Sequence, residues 1–121
     1  MENHYRDYIR TSNWNIHANI SADKKQWFDV QVPNISANGL LFLTDRSYEK
    51  DDTVWFDLKI APMAIGPDFK VNINVKAIVQ SDRGTQDNMR IFSVKFTEIS
   101  DSDTIQLDEL VRLTVSKYGN Y

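Results

Sequence analysis

Two arginines four positions apart, in Arg6-Asp7-Tyr8-Ile9-Arg10, are followed two dozen residues later by Asn34-Ile35-Ser36-Ala37-Asn38-Gly39. Read as patterns, these are R-x-x-x-R and then [D/N]-x-S-x-x-G. A guanidinium carries a planar fork of donors that fits a phosphate or the O6/N7 edge of a guanine bidentately, so Arg6 and Arg10 form a clamp for such a group. Asn34 and Ser36 supply short polar side chains for an opposing wall, and Gly39 allows either positive φ or close approach of backbone to a ligand. A plainer reading stands beside this one. Asn, Ser and Gly are also the ordinary residues of a turn between strands, and an arginine pair near a chain end is ordinarily just solvated.

Elements must hold these residues in place, and the middle of the chain alternates at period two. Val71, Ile73, Val75, Ala77 and Val79 share one face of a strand, with Asn72, Asn74, Lys76, Ile78 and Gln80 on the other. The same rule makes inward sets of Trp14, Ile16, Ala18 and Ile20, of Phe28, Val30 and Val32, of Val54, Phe56, Leu58 and Ile60, and of Phe92, Val94 and Phe96. Leu40 to Leu43 is apolar on both faces, which fits a central strand or one packed outward under a helix. Six strands therefore fit between about residues 14 and 97, joined by polar segments such as Ser81-Asp82-Arg83-Gly84-Thr85. This predicts an all-β-dominated domain, a six-stranded antiparallel barrel. Ser100 and Asp103 form an S-x-x-D cap, after which Leu107, Leu110, Val111, Thr114, Val115 and Tyr118 recur at helical spacing. A lone helix of that length is marginal in water, so its stripe must pack on the barrel.

Composition excludes several classes. With 121 residues and no cysteine, the chain fits one domain, without disulfides or thiol chemistry. A net charge of −3 argues against a protein that grips long nucleic acid. A local arginine pair can still serve one small anionic ligand, because screening over about 8 Å hides distant carboxylates. Met1 to Thr11 has no apolar signal core, and no stretch approaches the roughly 18 apolar residues of a membrane span, so a soluble cytoplasmic protein without membrane insertion is expected. Two histidines without cysteine make no structural zinc site, and His17 alternates outward between Ile16 and Ala18. Ser36 lacks a nucleophile elbow and a triad context. Asp51-Asp52 and Asp101-x-Asp103 read as a turn and a helix N-terminus. Trp27 and Trp55 fall on the outward phase, as candidates for helix packing, ligand contact or a partner surface.

The two motifs, in this order and with strands between them and a terminal helix, resemble the PilZ domain family. The likeness covers almost the whole chain and includes Phe96-Thr97-Glu98-Ile99-Ser100 leading into the helix. It departs at Ser93, where the last strand of family members often has glycine. What the resemblance implies is a PilZ-like split barrel over residues 14–121 with a helix at about 100–118, preceded by a mobile N-terminal arm, residues 1–13, that carries the arginines. It further implies a non-enzymatic receptor for the bacterial second messenger cyclic di-GMP, with no catalytic residue, metal or cofactor. Arg6 and Arg10 would contact phosphate and guanine, and Asn34, Ser36 and Gly39 would complete the pocket. The arm would order on the ligand and pass the signal to an unidentified protein partner. Tyr5, in place of another basic residue before the first arginine, leans towards one ligand per chain. Two alternatives stay open: a ligand-independent PilZ-type adaptor and, less favoured by charge, an oligonucleotide-binding barrel with stacking aromatics. The segment Ala61-Pro62-Met63-Ala64-Ile65-Gly66-Pro67 is expected to be a hairpin loop that either presents an apolar contact surface or folds back to plug the barrel end.

Overall fold

Strict alternation is realised along β5, Val71–Gln86, where Val71, Ile73, Val75, Ala77 and Val79 are buried while Asn72 and Asn74 face solvent. The computed structural model describes residues 14–62 and 70–118, with side chains described over 16–61 and 70–113. Arg6, Arg10, the expected arm and most of the expected apolar loop, including Met63 and Ile65, lie outside the described residues.

The remaining strands are β1, Trp14–Ser21; β2, Phe28–Ser36; β3, Gly39–Thr44; β4, Thr53–Pro62; and β6, Met89–Glu98. All neighbours are antiparallel, and the order β1-β2-β3-β6-β5-β4 closes into a barrel. Within the barrel, closure gives each described strand a neighbour on both sides, which suits an all-β chain with hydrophobic strands throughout. The inward sets meet in one core centred on Phe42, Phe56 and Phe92, with Phe42 edge-on to Phe56 at 5.3 Å and 5.6 Å from Phe92. Tyr48, from the β3–β4 connection, packs edge-on against both Phe42 and Phe92, and its burial pushes the phenol above its ordinary pKa.

The helix α1, Asp101–Tyr118, starts where its cap predicts: the Ser100 hydroxyl accepts the Asp103 amide at 3.1 Å. Leu107, Leu110 and Val111 enter the barrel core, each such burial contributing roughly 1.5–3 kcal/mol. Among the described residues no helix is long and apolar enough to cross a membrane.

Strand β3 is central, between β2 and β6. Leu40 and Phe42 join the core, whereas Leu43 is buried from the outer face, where Gln31 of β2 reaches Met89 of β6 across it. One expectation is corrected. Ser81 to Thr85 is not a turn but the continuation of β5, and the chain reverses at Asp87-Asn88, both residues at positive φ (54° and 67°). A two-residue loop with both residues left-handed matches strand twist, and Asp and Asn tolerate that conformation without glycine. The hydrophobic signal ends at Val79 because beyond it the hairpin runs out from the barrel with residues 82–88 exposed. Register shifts and Gly84, at φ +100°, absorb the irregularity.

Asp82 ties two parts of this projecting hairpin together. Its carboxylate accepts the Gly84 amide at 2.9 Å and pairs with Arg90 at 2.9 Å, and these bonds, the amide first, hold its pKa below the ordinary value. A depressed carboxylate stabilises the fold above its unfolded-state pKa, and that stabilisation is lost as pH falls through the lower folded value. Asp82→Ala should therefore lower the melting temperature at neutral pH, with the gap from wild type narrowing below about pH 4. A gap that is constant from pH 7 to pH 3 would contradict this.

Candidate ligand-binding site

Alternation along β2 would send Val30, Val32 and Asn34 to the same side. Instead β2 spends four residues, Gln31 to Asn34, against three of β3, Leu43 to Leu41, and this extra residue reverses the phase. Val30 and Ile35 face the core, so Asn34 and Ser36 turn to the outer face. Pro33 stands within the irregularity, where a missing amide costs no ladder bond.

Ser36 and Gly39 are cross-strand partners, joined by the two-residue turn Ala37-Asn38. The Ser36 hydroxyl is buried, donates to Asn38 Oδ1 at 2.6 Å, accepts the Asn38 amide at 3.4 Å and lies 3.4 Å from the Gly39 carbonyl oxygen. It is a side-chain clamp inside the turn. Ala37 anchors the tip in the core, and the Asn38 carbonyl accepts the Phe96 amide of β6 at 2.9 Å. Gly39 is not at positive φ. Its absent side chain makes room for β6, because a Cβ there would run into the backbone carbonyl oxygen of Val94. Of the two roles open to this glycine in the sequence, close approach is the one realised, and the approaching backbone is the protein's own.

Asn34 is half-buried, and its side chain makes no hydrogen bond among the described residues. From it a row of outer-face positions crosses the sheet: Asn34 pairs with Leu41, Leu41 with Ser93, and Ser93 with Ser81. Ser81 and Ser93 share a hydroxyl hydrogen bond of 2.7 Å, and Ser81 Oγ accepts Arg83 Nε at 3.0 Å. Lys95, the partner of Gly39 on β6, is exposed and adds positive charge beside the turn. Arg83, Lys95 and the serine pair extend the polar face beyond the two motifs. Ser93 was visible in the sequence as the exception to an expected glycine, whereas Arg83 was hidden in what read as a connecting turn.

The structure thus brings Asn34, Ser36 and Gly39 together at one turn, with only Asn34 leaving its polar group out of internal bonds among the described residues. Arg6 and Arg10 lie outside those residues, so the clamp and the wall are not seen together. His17 is exposed, and Asp51, at φ 73°, and Asp52 form a turn in which Asp52 accepts the Glu49 amide at 2.9 Å.

A family model described as PilZ domain matches residues 3–114, a span that includes both motifs. Among solved structures, the Bacillus subtilis inhibitor of motility (MotI/DgrA) superposes with a TM-score of 0.77 at 20% identity, over 93% of this chain and 53% of that one. The chain therefore spans about half the length of that protein. The PilZ domain with c-di-GMP of YcgR from Escherichia coli superposes with a TM-score of 0.59 at 14% identity, over 97% of this chain and 99% of that one. No curated protein matches the chain significantly.

The turn's internal chemistry predicts ligand-free instability in its variants. Gly39→Ala should already destabilise by about 1–3 kcal/mol, the cost of forcing a side chain into packed backbone, and Gly39→Val by more. Ser36→Ala should cost about 1–2 kcal/mol by leaving the turn amide and Asn38 without their partner. Thermal denaturation without ligand checks both; unchanged melting temperatures would show that the turn does not depend on them.

Proposed function

The chain belongs to the PilZ domain family, and from that premise we propose that it is a non-enzymatic receptor for cyclic di-GMP. The observation that supports this most directly is the Asn34 to Gly39 turn, fixed by β6 and aimed outward by the β2 irregularity, in a chain whose family match spans both motifs. Asn34 would bond the ligand, and Ser36 and Gly39 would set the shape of the wall. Arg6 and Arg10, from the segment before β1, would supply the charge and the planar forks that recognise phosphate and guanine. That the YcgR domain was solved with c-di-GMP supports the choice of ligand.

The proposed mechanism needs no bond to be made or broken. Ligand bridges the arginines to the turn, residues 1–13 order against the barrel, and the altered surface changes which protein is touched. A second reading is supported by one observation: the fold alone explains Ser36 and Gly39, so an adaptor that binds no nucleotide could carry the same turn.

Isothermal titration separates these readings. Cyclic di-GMP should bind, and GTP and cyclic di-AMP should not compete at comparable concentration. Arg6→Ala and Arg10→Ala should each weaken binding about 10- to 150-fold, from the loss of charge-assisted bonds worth roughly 1.5–3 kcal/mol, with no change in melting temperature. Arg10→Lys should not restore affinity, since an ammonium lacks the planar fork. No heat of binding by the wild type supports the adaptor; wild-type affinity in both alanine variants overturns the arginine assignment. Amide exchange over residues 2–12 should slow at saturating ligand, and equal exchange in both states would exclude the arm as the responding part.

A further inference from the structure

A second surface of the barrel is built around two tryptophans that the proposed ligand site does not use. Trp55 lies on the outer face of β4, with Ser21 of β1 on one side and Lys76 of β5 on the other, and Lys76 is paired in turn with Glu98 of β6. Trp27, in the β1–β2 connection, is 40% exposed, which is high for the largest apolar side chain. Both line an open cleft of about 740 Å³ that continues past Asn74 and Thr97 to Ile99 and Ser100 at the start of α1. The ammonium groups of Lys24 and Lys76 each lie 5.9 Å from the centre of the Trp55 ring.

The connection that carries Lys24 and Trp27 is held tightly. The buried Ser21 hydroxyl accepts the amides of Lys24 at 2.8 Å and Asp23 at 3.2 Å, and the Asp23 carboxylate accepts those of Lys25 at 2.8 Å and Gln26 at 3.0 Å. Within this loop Lys24 adopts φ 65°, the left-handed conformation that glycine and asparagine accept most readily. A lysine kept in that conformation places a cation against Trp55 at the expense of backbone strain, a pattern associated with binding sites. The charge of the cleft also runs against that of the whole chain. Lys24 and Lys76 face Glu98 alone among its lining residues, whereas the protein as a whole carries −3.

We infer that this cleft is a docking surface for an acidic peptide segment of a partner protein. An aromatic or aliphatic residue of the segment would sit between Trp27 and Trp55, with its carboxylates against Lys24 and Lys76. Glu98, paired with Lys76 at 3.3 Å, repels any anion set beside it, which disfavours a chain charged at every unit more than a peptide whose carboxylates alternate with apolar residues and can be spaced to meet the two lysines. The surface stands independently of the cyclic di-GMP reading, because it uses neither arginine nor any residue of the Asn34 to Gly39 turn.

The test uses the full chain without nucleotide. A short labelled peptide alternating glutamate and phenylalanine is titrated while tryptophan emission and label anisotropy are followed, beside a counterpart with lysine in place of glutamate and a labelled single-stranded oligonucleotide. The acidic peptide should bind, shift the tryptophan emission and weaken with added salt, and the basic peptide should not bind. Lys24→Gly is the most informative variant, because glycine relieves the backbone while removing the cation: affinity should fall about tenfold with the melting temperature unchanged or higher. Trp27→Ala should weaken binding at least as much, as expected of an aromatic anchor. No binding of the acidic peptide up to millimolar concentration, equal binding of the two peptides, or wild-type affinity in both variants would overturn the proposal. Preferential binding of the oligonucleotide, or self-association in sedimentation that Trp27→Ala abolishes, would assign the cleft to nucleic acid or to a second copy and likewise overturn it.

Discussion

The barrel closes against its own sequence motif through one close backbone contact, that between Gly39 and the Val94 carbonyl. Strand β3 can lie this near to β6 because position 39 has no side chain, and the adjoining bond from the Phe96 amide to the Asn38 carbonyl extends the ladder into the turn itself. Much follows from this seam. The same pairing sets Phe42 opposite Phe92 in one aromatic cluster, and β6 runs on from it towards Ser100, which caps α1. It also fixes the Ser36 to Gly39 turn from behind, so that residues on its outer face are presented by a rigid support rather than by a free loop.

A motif with this double employment has consequences for reading function. Ser36 and Gly39 are required by the turn whether or not anything binds there, and their presence supports the fold more strongly than it supports the ligand. Asn34 is different. It is turned outward by the extra residue in β2, and among the described residues no internal bond occupies its amide. The proposed receptor role therefore leans on Asn34 and on the arginine pair, whose position in the sequence is the main link between the two halves of the pocket. The Trp27–Trp55 cleft uses the end of β6, Thr97 and Glu98, next to Lys95 and Phe96 at the seam. The proposed ligand site and the proposed partner site would then rest on one strand.

Most of the fold was legible in the chain because its strands are half-buried and period two is unambiguous. The inward sets of β4, β5 and β6 are core residues, and Ser100 caps the helix as its spacing foretold. Legibility failed where burial stops directing the sequence. Residues 82–86 are exposed on a projecting hairpin, so no alternation marks them as strand, and the true turn at Asp87-Asn88 carries no glycine to announce it. The phase reversal in β2 was equally hidden, since Val32 and Asn34 look like successive members of one face until the register with β3 is known. At the site, the residue types were readable but not their division of labour: whether Gly39 serves conformation or clearance depends on a strand more than fifty residues away, and whether Ser36 points to a ligand or to Asn38 depends on the geometry of the turn itself.

The central claim concerns where cyclic di-GMP binds, and backbone amide NMR during titration with that ligand tests it most directly. A site built from both motifs should move the resonances of Asn34 to Gly39, Leu41 and residues 6–10 together, saturating at one stoichiometry, while Trp27 and Trp55 respond little. An absence of shifts, or shifts confined to the tryptophan cleft with the Asn34 to Gly39 turn unmoved, would contradict it.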